Sequence, residues 1–212
     1  AYRGLVGSAP SDAKKYEGRV VLDCANGVGA TAMRGFLSRL RDCGLEVQLC
    51  NDGGGPLNEG CGADFVKIKQ CAPSGVSLKP GMRFISFDGD ADRIVYFFAD
   101  AAGTFRLLDG DRIALLLGKF MADLLKQAGI EGLRLGLVQT AYANGASTYC
   151  AEEAVGKANV LCAKTGVKHC HHAALELDVG IYFEANGHGT VLFSEEFVKR
   201  TAAVEQAGGD AG

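Results

Sequence analysis

Arg83-Phe84-Ile85-Ser86-Phe87-Asp88-Gly89-Asp90-Ala91-Asp92-Arg93-Ile94-Val95-Tyr96-Phe97-Phe98 is the stretch on which the reading of this chain turns. Two β-prone runs, 83–87 and 94–98, bracket a short acidic loop. Asp88, Asp90 and Asp92 fall on alternate positions, with Arg93 directly behind them. Two like charges about 4 Å apart repel by roughly 4 kcal/mol at an effective dielectric near 20, so three carboxylates held together need a compensating charge. A hard divalent cation with oxygen ligands, Mg²⁺ foremost, meets that need. Gly89 and Ala91 keep the loop small enough to wrap an ion, and a loop between strands rests on a rigid scaffold, which suits catalysis. An EF-hand would require Gly where Arg93 stands, Glu where Ala99 stands, and a helix on each side. The stretch fails all three conditions. Its bland alternative is a solvated acidic turn.

Working outward, the chain alternates strand and helix signals. Arg19 to Cys24 reads as a buried strand, Asn26-Gly27-Val28-Gly29 as a turn, and Ala30 to Arg41 as a helix with Met33, Phe36, Leu37 and Leu40 on one face. Leu45 to Cys50 is a strand. A loop rich in Gly, Pro and Asn follows, then a short helix around Ala63 to Gln70. Beyond the acidic loop, Asp100-Ala101-Ala102-Gly103 reads as a hairpin turn. Asp109 can cap a helix over 110–127 whose apolar stripe is Ile113, Leu116, Leu117, Phe120 and Leu124. Strands at 133–139, 159–163, 179–183 and 190–193 interleave with helices at 146–155 and 166–177. Such alternation argues α/β layering. The boundaries expected are a first domain over 1–108, a second over 109–198, and a frayed tail over 199–212, where Thr201 to Gly212 is rich in Ala, Gly and Gln.

Length and composition agree with two domains of about 100 residues or one larger one. The 212 residues are 48% hydrophobic and 22% charged, as in soluble globular proteins, and the net charge of −3 leaves no footprint for nucleic acid or a membrane surface. No apolar run approaches the roughly 20 residues that span a bilayer. Ala1 to Gly7 lacks the shape of a signal peptide. Eight cysteines form no C-x-x-C pair, and Cys24, Cys43, Cys50 and Cys162 fall on expected strands and helices. That pattern fits buried free thiols in a reducing compartment, with cytoplasm the expectation.

Three further stretches carry polar chemistry. In Glu184-Ala185-Asn186-Gly187-His188-Gly189-Thr190, the carboxylate and amide lie two apart and would point the same way in extended backbone. Side by side, they can bind adjacent sugar hydroxyls, although a plain Gly-rich hairpin explains the stretch equally. Lys164-Thr165-Gly166-Val167-Lys168-His169 lies at a strand-to-helix junction, where open amides and lysines favour an anion such as phosphate. Solvated lysines around an ordinary turn are the alternative. His169-Cys170-His171-His172 looks like a metal cluster, but only His169 and His172 share a helix face and nothing completes a zinc set. Asn144-Gly145 reads as a helix cap.

In order along the chain, Asp23-Cys24-Ala25-Asn26-Gly27-Val28-Gly29, Cys61-Gly62-Ala63-Asp64-Phe65-Val66-Lys67, the acidic loop through Tyr96, Gln139-Thr140-Ala141-Tyr142-Ala143-Asn144-Gly145, Lys164 to His169 and Phe183 to Thr190 resemble the α-D-phosphohexomutase superfamily. Among its branches they are most similar to the phosphoacetylglucosamine mutases, over about residues 16–195. Asn186 marks that branch, because glucose and mannose mutases usually carry Ser there. The resemblance implies two consecutive α/β domains with mixed sheets flanked by helices, matching the family's second (metal-binding) and third (sugar-binding) domains. It implies Mg²⁺ on Asp88, Asp90 and Asp92, and Arg93 close to the transferred phosphoryl group. It also implies sugar contacts from Glu184 and Asn186 with Gly187 and His188 beside them, and a phosphosugar cleft lined by Lys164, Thr165, Gly166 and Lys168. The implied reaction interconverts N-acetylglucosamine 6-phosphate and 1-phosphate through a phosphoserine and a bisphosphorylated sugar, on the way to UDP-N-acetylglucosamine. The partner implied is a small hexosamine phosphate, with no nucleic acid and no membrane.

The chain departs from that family in two large respects. The Thr-Ala-Ser-His-Asn-Pro motif of the phosphoserine domain and the Arg-Pro-Ser-Gly-Thr phosphate clamp of the last domain are both absent. The expectation is therefore an incomplete enzyme, missing N- and C-terminal domains and inactive alone. Tyr149-Cys150-Ala151 also lacks the basic residue expected there. Two rivals stay open: a non-catalytic sugar-phosphate-binding module or decayed paralogue, and a haloacid-dehalogenase-like phosphatase with Asp88 as nucleophile. The second would want Thr or Val in place of Asp92.

Overall fold

The computed structural model describes residues 18–42 and 44–209. Cys43 and the N-terminal stretch Ala1 to Gly7, both weighed above, lie outside the described residues. The chain divides into two compact units, one reaching Asp109 and the other starting at Gly110.

In the first unit, β1 (Gly18–Asp23), β2 (Leu45–Cys50), β3 (Arg83–Phe87), β4 (Ile94–Ala99) and β5 (Phe105–Leu108) form one sheet in the order β2-β1-β3-β4-β5. β1 runs parallel to both of its neighbours, while β4 is antiparallel to β3 and β5 to β4. The mixed sheet arises because short connections fold β3, β4 and β5 back on one another, whereas β1, β2 and β3 are joined by longer crossovers. Along β4, half-buried and buried residues alternate, as expected for a strand with one face in the core. Val95 and Phe97 pack with Phe84 and Val21, and with Ala63 and Val66 from helix α3 (Ala63–Lys69). The Phe84 and Phe97 rings stack at 5.2 Å, and burying each contributes about 2–3 kcal/mol. The opposite face is closed by Leu22, Cys24 and Ala30, with Ile85 and Phe87 against them.

The single helix expected from Ala30 to Arg41 is two: α1 (Gly29–Arg34) and α2 (Leu37–Asp42). The amides of Gly35 and Phe36 turn back to Ala32 and Met33, tightening and ending the first helix. The expected apolar face does not form a core stripe, for Phe36 is 51% exposed and α2 buries no residue.

In the second unit, β6 (Leu135–Thr140), β7 (Val160–Ala163), β8 (Val179–Phe183) and β9 (Gly189–Phe193) lie in the order β7-β6-β8-β9. β6 is parallel to β7 and β8, and β9 closes an antiparallel hairpin on β8. Both central strands are buried almost throughout, the mark of a sheet covered on both faces. Around it lie α4 (Gly110–Gln127), α5 (Gly145–Val155), α6 (Val167–Ala174) and α7 (Glu195–Gly209). No described helix is long and apolar enough to cross a membrane.

Two expectations are corrected here. The face that α4 buries is Gly110, Ala114 and Gly118, not the large apolar stripe, in which Leu116 and Phe120 are more than half exposed. Small residues four apart let the helix approach closely: a Cβ on Gly118 would lie 3.1 Å from Leu137. The expected frayed tail after residue 198 is instead helical to Gly209. Ser194 caps that helix, its Oγ accepting from the Phe197 amide at 3.1 Å, and the rings of Phe193 and Phe197 stack at 4.6 Å. Composition alone hid the helix, because Ala and Gln favour helix as readily as loop.

Candidate functional site

Strand β3 delivers Asp88 at its C-terminal end. Asp88 Oδ1 accepts the backbone amides of Asp92 and Arg93, each at 3.1 Å, so the loop folds back upon its first carboxylate. Ala91 donates its amide to the Asp88 carbonyl at 3.1 Å and takes a φ of 60°, a left-handed conformation that costs a non-glycine residue about 1–2 kcal/mol. The turn thus brings one carboxylate oxygen from each of Asp88, Asp90 and Asp92 within 4.8 Å of the others. Asp88 is buried while Asp90 and Asp92 are exposed. Burial raises the Asp88 pKa, the Arg93 amide opposes that rise, and Asp92 and Asp90 add to it. Three oxygen donors, one desolvated and all repelling one another, fit a hard divalent cation such as Mg²⁺. Among the described residues no other group of His, Cys, Asp and Glu has such geometry.

The loop is gripped from two sides. A Cβ on Gly27 would lie 2.1 Å from the Gly89 carbonyl oxygen, to which Val28 donates its amide at 3.0 Å. A Cβ on Gly89 would meet Leu57 and the Asn58 amide at 2.8 Å. Asn26, Thr31, Leu57 and Asn58 line a depression of about 700 Å³ beside Gly89 and Asp90, a size suited to a small ligand.

Beneath the loop lies a residue to which sequence reasoning gave no role of its own, Asp23 of the first strand. Asp23 is 1% exposed. Its carboxylate accepts from Ala25 N (3.1 Å), Asn51 Nδ2 (2.9 Å), Gly62 N (2.7 Å) and Ser86 Oγ (2.7 Å). A buried carboxylate needs such satisfaction, and here it ties three loops to the strand leading into the acidic turn.

Arg93 is also engaged in a way the sequence did not disclose. Its Nη1 donates to both oxygens of Asp64, at 2.9 and 2.8 Å, from the first turn of α3. Its Nε lies 3.5 Å from Asp88 Oδ2 and 3.8 Å from Asp92 Oδ1, buried and without a hydrogen-bond partner. Burial pulls the Arg93 pKa down, but Asp64, Asp88 and Asp92 together raise it.

In the second unit, Glu184, Ala185, Asn186 and Gly187 form the turn of the β8–β9 hairpin. The Glu184 amide donates to the His188 carbonyl and the Gly187 amide to the Glu184 carbonyl, both at 2.8 Å. The backbone is therefore not extended, and each side chain is fixed separately. Asn186 Oδ1 accepts the His188 amide at 3.0 Å, and Glu184 Oε1 accepts the Gly166 amide at 3.1 Å. This last bond joins two stretches that the sequence presented apart: the Glu184 carboxylate reaches the turn that opens α6. Glu184 Oε2 and Asn186 Nδ2 remain outside these two bonds. Lys164, Thr165 and Lys168 are exposed around that turn, and Gly166 has a φ of 116°. Gly110 packs so tightly beneath the hairpin that a Cβ there would collide with the Glu184 carbonyl.

The histidine run resolves as structure. His171 Nδ1 lies 3.3 Å from the Tyr182 hydroxyl, and His169 and His172 are exposed. Asn144 caps α5 by accepting the Ala146 amide at 2.9 Å.

Comparison with known proteins places this geometry. Family profiles described as phosphoacetylglucosamine mutase AMG1, domain II, and phosphoacetylglucosamine mutase AMG1, domain III, match residues 9–95 and 109–211. The chain belongs to the phosphoacetylglucosamine mutase family. The acidic loop falls within the domain II match, and the Lys164 and Glu184 stretches within that of domain III. The phosphoacetylglucosamine mutase of Mus musculus is 58% identical over 180 residues, covering 83% of this chain and 32% of the relative. That of Saccharomyces cerevisiae is 46% identical over 187 residues, covering 84% and 33%. The crystal structure of Aspergillus fumigatus N-acetylphosphoglucosamine mutase in complex with GlcNAc-6P and magnesium superposes with a TM-score of 0.83 at 49% identity, over 93% of this chain and 39% of that one. The chain thus spans about a third of the length of the curated phosphoacetylglucosamine mutases it matches.

Proposed function

We propose that this chain supplies the cation-binding and sugar-binding domains of a phosphoacetylglucosamine mutase, which interconverts N-acetylglucosamine 6-phosphate and N-acetylglucosamine 1-phosphate. The observation that carries the reading is the trio of carboxylate oxygens within 4.8 Å on a chain of this family. Asp88, Asp90 and Asp92 would hold Mg²⁺, which when bound neutralises charge on a transferred phosphoryl group. Arg93, fixed beside the trio, adds a permanent positive charge facing the same phosphoryl oxygens. Glu184 and Asn186 bind sugar hydroxyls through the oxygen and the amide nitrogen left outside the backbone bonds, with Gly187 and His188 completing that loop. Lys164, Thr165, Gly166 and Lys168 line the phosphosugar cleft. The Glu184–Gly166 bond favours this assignment, since it fixes the sugar loop against the cationic turn.

The phosphoserine of the reaction is not in this chain, which contains no Ser-His-Asn sequence. Turnover through a bisphosphorylated sugar therefore depends on residues outside it. A cytoplasmic setting accords with the seven free cysteines among the described residues. Calorimetric titration tests the reading: the chain should take up Mg²⁺, and Asp90→Asn should weaken uptake by about tenfold while leaving the melting temperature unchanged. Absence of Mg²⁺ uptake by the folded chain would overturn it.

A further inference from the structure

Arg93 Nε is ion-paired with Asp88 and Asp92, at 3.5 and 3.8 Å, yet donates a hydrogen bond to neither. Three neighbouring carboxylates attract whatever cation is nearest, and the nearest one follows Asp92 in the chain. A guanidinium matches carboxylates as a planar fork. Seated on Asp88 and Asp92, it would satisfy the trio from within, and an incoming divalent ion would have to displace it. What diverts it is Asp64, whose two oxygens both take Nη1. Asp64 rides on a helix anchored by Ala63 and Val66, each 0% exposed in the core. Its place is therefore set by packing rather than by charge.

We propose that Asp64 is a positioning residue that keeps the Nη1 end of the Arg93 guanidinium off the acidic trio and so keeps the cation site open. The proposal rests on the cation reading above and goes beyond it: the site's capacity for a divalent ion is set partly by a carboxylate that does not ligate it. The unbonded, buried Nε is the trace of that diversion.

Asp64 has a side chain 57% exposed, so its removal spares the core. The test is Mg²⁺ calorimetry on the full chain in four forms: wild type, Asp64→Ala, Arg93→Gln and the double variant. Thermal melts confirm that each is folded. Asp64→Ala is expected to weaken Mg²⁺ binding roughly fivefold, the size of one exposed ion pair. With Arg93 already replaced, it should have little further effect. In ¹⁵N NMR, the Arg93 Nε–H of Asp64→Ala should move toward a hydrogen-bonded shift and return on adding Mg²⁺. Equal affinity in wild type and Asp64→Ala overturns the proposal. An equal loss in both backgrounds also overturns it, because Asp64 would then act only by its own charge. Failure of wild type to bind Mg²⁺ refutes instead the cation reading beneath it.

Discussion

Gly27 and Gly89 meet across a gap with no room for a methyl group, and the obstacles on the two sides differ. The Cβ of an alanine at 27 would strike the Gly89 backbone at 2.1 Å, whereas one at 89 would strike the ends of Leu57 and Asn58 at 2.8 Å. Backbone cannot swing aside as side chains can. Gly27→Ala should therefore lower stability by about 2–4 kcal/mol in urea unfolding and abolish Mg²⁺ uptake, while Gly89→Ala should cost about half as much. At this scale the sequence disclosed the three clustered carboxylates and concealed what holds them. Asp88, Asp90 and Asp92 stand out because alternation along five residues is visible in a line of text. Asp64 and Arg93 lie 29 positions apart, and their pairing exists only once a helix has docked on the sheet. Asp23 looked like an ordinary end of strand for the same reason, since its donors come from residues 25, 51, 62 and 86.

Between elements, Asp178 does for the second unit what Asp23 does for the first. It accepts the Arg134 amide at 2.9 Å and the Ser194 hydroxyl at 2.8 Å, joining the start of β6, the entry to β8 and the cap of α7. The Arg134 amide, followed by Ser194, holds its pKa below the usual carboxylate value. A depressed pKa in the folded state means the ionised form stabilises the fold above the ordinary carboxylate range, near 4, and that this contribution is lost as pH falls through the lower folded value. Asp178→Ala should destabilise the chain by about 1–3 kcal/mol at pH 7 and flatten the acid limb of its stability profile, measured by denaturant midpoints between pH 7 and pH 3. Strands were the legible elements, because β4 and β8 are continuous runs of apolar and aromatic residues and β6 opens on one. Helix faces were less so: a search for large apolar residues finds Leu116 and Phe120 on α4, but close approach to a sheet selects Gly110, Ala114 and Gly118. In α7, Ala and Gln gave no contrast from which to read a face.

Across the whole molecule, both units place their polar chemistry on the connections at strand ends: the β3–β4 turn in one, the β8–β9 turn and the turn after β7 in the other. Each is a mixed sheet covered by helices, a scaffold on which short loops keep their shape without ligand. Neither contains the Ser-His-Asn sequence on which the proposed reaction would depend. A coupled assay supplying N-acetylglucosamine 6-phosphate, a hexose bisphosphate and Mg²⁺ should accordingly detect no turnover from this chain, and robust turnover would require a phosphoryl carrier within it.

Ala91 adopts a backbone angle that glycine would accept without penalty. The acidic turn is thus pre-stressed at its midpoint by its one methyl group. Relaxing position 91 to glycine would ease that tension and free the three acids to drift apart. A screen for heat tolerance would be drawn to this position, and its winners would gather the three carboxylates more slackly.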